Sequence, residues 1–426
     1  MSDPKHLATP DDAATWIKDQ TGINGAVYVA GCAGEPLALA EAYRRNPDAA
    51  NGLQFFGVWI PGANKTDWAG LSPTATAQSN FVSTDWTKSF RDGRFGFLPL
   101  TYSQAWRWLE RRKCEVAVLH VSPTDENGEC SFGPSSDFSS VFADRNVKKL
   151  GLINSAMPAA AAGPKVRYAD LDAVLETETP LSSLATPDIN DAFRSIGAHV
   201  ANLIRPGDTL QFGLGKVQTA VLSALVDHQD LRIHSGMVTD LVLNLMDKGV
   251  IPDPPDSITT GIALGSNVLY DRITSDPRVR FADVGYTHNH TVLAGIENFV
   301  AINSVMEVDL FGQANAEFLN GRQISGGGGL TDFLRGAAAS PGGRPIMALN
   351  ASARSGSISR IVPRIDAPAV AVSRADAGIV VTEHGVADLR EMDIDARAQA
   401  LIAIAAPDHR NALSAAWRDI RKGLQR

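Results

Sequence analysis

Short, almost unbroken apolar runs punctuate this chain, and between them the apolar residues recur at helical spacing. Residues 26–30, Val116–Val121, Thr209–Phe212, 345–349 and 369–372 read as strands. Apart from Thr209–Phe212, none of these alternates apolar with polar residues, and continuous apolar strands are expected to be buried on both faces, as in a parallel sheet covered by helices. Helical patterns occupy 189 to about 204, 219–226 and 396–405. The first of them stops at Arg205-Pro206-Gly207-Asp208, a breaker cluster. The segment 380–389 reads as a strand entering a helix. Strands interleaved with helices predict an α/β protein with open, largely parallel sheets.

The chain has 426 residues, more than one ordinary core organises, so two domains are expected. The loop 181–188 places the boundary at 1–190 against 191–426. Six of the seven tryptophans precede residue 110, whereas the glycine-rich segments follow residue 205. The net charge of −8 argues against a nucleic-acid partner, which needs a basic surface. No charged-then-apolar leader begins the chain, and no run reaches the roughly 18–20 apolar residues of a membrane span. Three sparse cysteines, Cys32, Cys114 and Cys130, lack CxxC spacing and predict reduced thiols in a cytoplasmic setting.

Four segments carry candidate chemistry. In Gln211-Phe212-Gly213-Leu214-Gly215-Lys216-Val217 a strand ends, two glycines turn and a helix starts. Backbone N–H groups at such a helix start attract an anion. A tight packing turn without ligand would look the same. The dinucleotide fingerprint is incomplete, because Gln218 stands where its third glycine belongs, and the Walker pattern is absent. The second segment, Ser325-Gly326-Gly327-Gly328-Gly329-Leu330-Thr331-Asp332-Phe333, is entropically costly. A ligand or another strand must approach that backbone closely. The third, Ile233-His234-Ser235-Gly236-Met237, reads as a strand end with a buried histidine. The fourth sets Glu383 and His384 at the carboxyl end of a strand, where open parallel sheets hold ligands. His288-Asn289-His290 offers two histidines without a third ligand, which does not close a zinc site. No metal is expected.

Taken in order, these segments resemble the acetyl-CoA hydrolase/CoA-transferase family. The likeness is carried by Gly213-Leu214-Gly215, by His234-Ser235-Gly236-Met237, and by the run from Ala301 to Leu310. Gly328-Gly329-Leu330-Thr331-Asp332-Phe333 and Ser359-Arg360-Ile361-Val362-Pro363 extend it. The resemblance implies two CoA-transferase-like (NagB/RpiA-type) domains, the second binding CoA, in a homodimer. It implies that coenzyme A, as an acyl-CoA substrate, is held by Gly213, Leu214, Gly215, Lys216 and Val217, with Met306, Gly328 and Gly329. The polyglycine loop would supply N–H groups to the thioester oxygen; Lys216 would either supply a charge for the pyrophosphate or stand solvated.

Two positions depart from the family pattern. Transferases of the family carry a nucleophilic glutamate where this chain has Gly236, and a glutamine where it has Leu330. A glycine cannot form a glutamyl-CoA intermediate. Glu35, Glu383 and His384 are then candidates to activate a water, while Glu307 reads as structural. The leading expectation is hydrolysis of an acyl-CoA, at the thioester or at a C–C bond. The alternatives are CoA transfer through another carboxylate and acyl-CoA binding without catalysis.

Overall fold

The computed structural model describes residues 3–424. They divide into two compact units, one of residues up to 185 with 254–287, the other of 186–253 with 288 onward. The chain crosses between them at 185/186, at 253/254 and at 287/288.

The first unit is built on an eight-stranded parallel sheet. Its order is Lys5–Leu7, Ala173–Thr177, Lys148–Asn154, Val116–Val121, Ala26–Val29, Gln54–Phe56, Thr76–Ser79 and Phe95–Phe97. Ala26–Val29 and Val116–Val121 are buried at every position, which is why neither alternates. They are neighbours in the sheet but far apart in the chain. On one side the chain proceeds outward from 26–29, on the other from 116–121, so their shared carboxyl edge is the topological switch point. Trp59, Trp68 and Trp86 are fully buried here; Trp59 and Trp86 pack with Phe95, and Trp59 lies 6.2 Å from Trp68 by ring centroid.

In the second unit, parallel strands run in the order Arg232–Val238, Thr209–Phe212, Phe299–Ser304, Arg344–Ala348 and Ile379–Thr382. Gly385–Asp388 closes the edge antiparallel. The switch point lies between Thr209–Phe212 and Phe299–Ser304. A three-stranded sheet, Ala314–Asn315, Glu307–Asp309 and Ile361–Val362, follows the strand 299–304 in space as in sequence. The helix Leu330–Ala339 forms because Leu330, Phe333, Leu334 and Ala337 place one apolar face on the sheet. It stops at Ser340-Pro341. Gly336 in its middle permits close approach, since a Cβ there would lie 2.5 Å from Leu293 Cβ.

Two expectations are corrected. Residues 369–372 do not form a strand: Val370 is exposed and Val372 makes only an isolated bridge to Ala314. Pro368, just before the run, removes a ladder donor. The segment after 379–382 turns back as a strand instead of entering a helix, because Gly385 at φ 140° closes a tight hairpin.

Candidate functional site

The glycine turn 213–215 stands at the switch point of the second unit. Gly215 caps the helix Lys216–Ala224 at φ 105°, a conformation that disfavours any side chain. A Cβ on Gly213 or Gly215 would meet only the Gln218 amide, at 3.8 and 3.7 Å, so the backbone there is open to a ligand. Gln218, the residue that breaks the dinucleotide fingerprint, has a visible task. Its amide reaches the Ser304 hydroxyl at 2.9 Å and, with its nitrogen turned inward, the Leu214 carbonyl oxygen at 2.6 Å. The turn is thereby tied to the end of the neighbouring strand, two residues before Met306. Beneath it, the Asn303 amide donates to Gln211 Oε1 at 2.9 Å.

Lys216 is not aimed into the turn: its ammonium lies 5.9 Å from the centroid of the Phe193 ring. Val217 is buried in the first helical turn. The Met306 N–H is already given to the Asn315 carbonyl at 2.7 Å, which leaves its side chain to face a ligand. That side chain lines a cavity of about 790 Å³ with Phe318, Arg354 and Arg360 among its walls. Glu307 accepts from Asn315 Nδ2 at 3.0 Å across the small sheet.

Gly236 lies one strand spacing from the glycine turn. Ser235 Oγ donates to the Phe212 carbonyl at 2.8 Å, which pins the two segments together. The space beside Gly236 is filled. A Cβ there would sit 2.9 Å from His288 Cε1 and 3.1 Å from Nε2. The same ring covers Gly329, whose Cβ would lie 2.6 Å from His288 Nε2. His288 is 1% exposed and rests against Phe333 with ring centroids 4.3 Å apart. Burial, helped by neighbouring His234, pushes its imidazole down to about 3, so it is neutral. His290 is exposed, so the two histidines of 288–290 do not share a site.

The polyglycine loop is therefore approached neither by a strand nor only by a prospective ligand. Side chains approach it. His288 touches Gly329, and Glu317 Oε1 would lie 3.4 Å from a Cβ on Gly327. Burial raises the Glu317 carboxyl above the ordinary range. Gly328 takes φ 54°, and Gly329 caps the helix 330–339, so the loop ends in a helix N-terminus.

Of the candidate catalytic residues, Glu383 and His384 lie at the far side of the second unit's sheet. Glu383 Oε2 accepts from the Ala351 N–H at 2.7 Å, and its Oε1 lies 3.9 Å from His384 Nε2. Four strand spacings separate the strand of Gly236 from that preceding Glu383, roughly 19 Å. Glu35 belongs to the first unit and is 3% exposed. It accepts from Asn64 Nδ2 at 3.1 Å and from the Thr66 N–H at 3.3 Å, the pattern of a brace. The sequence reading weighed His288 only as half of a metal pair and passed over Glu317. No local pattern marks either, because each acquires its meaning from glycines in distant segments.

The N-terminal profile of the acetyl-CoA hydrolase/transferase domains matches residues 3–178, and the C-terminal profile matches 265–417. The chain belongs to the acetyl-CoA hydrolase/transferase family. It is 34% identical to the 4-hydroxybutyrate coenzyme A transferase of Clostridium kluyveri over 96% of both chains. It is 25% identical to an acetyl-CoA hydrolase of Eremothecium gossypii over 89% of this chain and 82% of that one. The crystal structure of RipA from Yersinia pestis superposes with a TM-score of 0.89 at 27% identity, covering 98% of each chain. Like these family members, the chain is an α/β protein with mostly parallel sheets. Among the described residues no helix is long and apolar enough to cross a membrane.

Proposed function

We propose that this protein binds an acyl-CoA along the Gly213–Val217 turn and the 326–329 loop of its second unit and cleaves the acyl group with water. The observation that carries this reading is the pairing of an open CoA cradle with a closed nucleophile position. Gly236 offers no carboxylate, and the His288 ring occupies the volume a side chain there would need. Without a covalent acyl acceptor at 236, water is the simplest acceptor. The bond cut is a thioester or, for a cyclic β-keto acyl-CoA, a C–C bond.

Transfer of CoA through another carboxylate is favoured by one observation. The transferase from Clostridium kluyveri is the nearer relative at 34% identity, against 25% for the hydrolase. One experiment separates the readings. Purified protein receives a panel of acyl-CoAs, including cyclic β-keto thioesters, with and without an acceptor carboxylic acid. Free thiol and acyl-CoA products are followed by mass spectrometry. CoA or ring-opened acid released without acceptor supports hydrolysis, and new acyl-CoA formed only with acceptor supports transfer. Calorimetric binding without any product would leave a binding protein. A homodimer in the cytoplasm, suggested by the family likeness and by three free cysteines, is checked by light scattering and by cell fractionation.

A further inference from the structure

The polyglycine loop is flanked by two titratable side chains from different parts of the second unit, and neither belongs to the cradle. Glu317 reaches it at Gly327 and His288 at Gly329. Two residues of chain span at most about 7 Å, so both groups fall within reach of one thioester laid on the loop. Glu317 has capacity to spare. Its Oε2 receives one long hydrogen bond from Gln323 Nε2 at 3.4 Å, and its Oε1 has no donor among the described residues. The carboxylate is only half-buried, so water reaches it. His288 is held rigidly by Phe333 and by the two glycines.

We propose that Glu317 takes over part of the work of the carboxylate missing at 236, as the general base for water, while the His288 ring walls the loop and keeps position 236 closed. The proposal rests on the hydrolytic reading above. The water oxygen bonds to the carbonyl carbon while its proton passes to Glu317 Oε1. The carbonyl oxygen takes up the negative charge and is held by the N–H of Gly329. Collapse breaks the C–S bond, and the CoA thiolate recovers the proton from Glu317. Burial suits Glu317 to this role, because a carboxyl raised by burial takes a proton more readily.

The test uses the full chain and whichever acyl-CoA the wild type hydrolyses. Glu317→Gln is expected to lower kcat at least 100-fold, with CoA binding by calorimetry within threefold of wild type. Glu317→Asp, which keeps the carboxylate on a shorter stem, should recover part of that loss but remain at least tenfold below wild type. Wild-type turnover in Glu317→Gln would overturn the proposal while leaving hydrolysis standing. A wild type that releases no CoA or acid would overturn both. Glu317→Gln should fold, since the half-buried carboxylate carries a single weak bond; should it not, wild-type turnover in Glu317→Asp would overturn the proposal instead.

Discussion

The carboxyl edges of the two sheets present the same topology with opposite chemistry. In the first unit the residues after Ala26–Val29 are locked by side chains. Asn64, with no exposed surface, uses all its capacity: Oδ1 accepts from the Cys32 and Ile60 N–H groups, each at 2.9 Å, and Nδ2 donates to the Cys32 carbonyl and to Glu35. Cys32, at φ 53°, lies with its Sγ 3.7 Å from Asp137 Oδ2. In the second unit the equivalent edge is bare backbone, the Gly213–Gly215 turn, tied down only at its margin by Gln218. A switch point thus makes a crevice, but the residues beyond the strands decide whether it is filled by the protein or left for a ligand.

The largest expected effect breaks the braced edge. Asn64→Ala strands three buried backbone groups and one carboxylate, so urea denaturation should show a loss of about 4 kcal/mol or more. A loss under about 1 kcal/mol would mean that water replaces the amide and that the first edge is open after all.

The next effect is a pH dependence. Burial pushes the Asp137 carboxyl up to about 6, partly offset by hydrogen bonds. The native state therefore keeps this proton over a range in which the unfolded chain has released it. Stability from this group falls as pH rises from about 4 to about 6, by up to about 3 kcal/mol. Asp137→Asn should flatten that slope in calorimetric melts between pH 4 and 7, and an unchanged slope would contradict the burial argument.

A moderate effect is expected at Gly236. Gly236→Glu forces a Cβ to within 2.9 Å of His288, costing about 2 kcal/mol by overpacking, and the variant should not exchange CoA with a free acid. Exchange is expected only when His288→Ala is added. Label exchange in the single variant would show that the ring moves aside easily.

The smallest effect is at Lys216. With its ammonium over Phe193, Lys216→Met should change CoA affinity by less than about threefold. A tenfold loss in titration calorimetry would place the charge on the ligand instead.

Much of the fold was legible because buried parallel strands announce themselves as apolar runs. Val116–Val121 and Thr209–Phe212 appear where the pattern placed them. Residues 369–372 misled because a short apolar run after a proline looks like a strand without having a neighbour to pair with along its length. The hairpin at Gly385 was missed because its turn depends on one backbone angle.

At the site, the division is physical. Glycines act through absent side chains, which a sequence displays directly, so Gly213, Gly215 and the 326–329 loop stand out from order and spacing, while the missing carboxylate at Gly236 was marked by the resemblance to the family. What fills the space those glycines leave is a matter of three-dimensional neighbourhood. Only the tertiary structure brought His288 against both Gly236 and Gly329, set Glu317 beside Gly327, and left Glu383 four strands away. Those contacts join segments distant in the chain, and close packing, which no local pattern encodes, selects them.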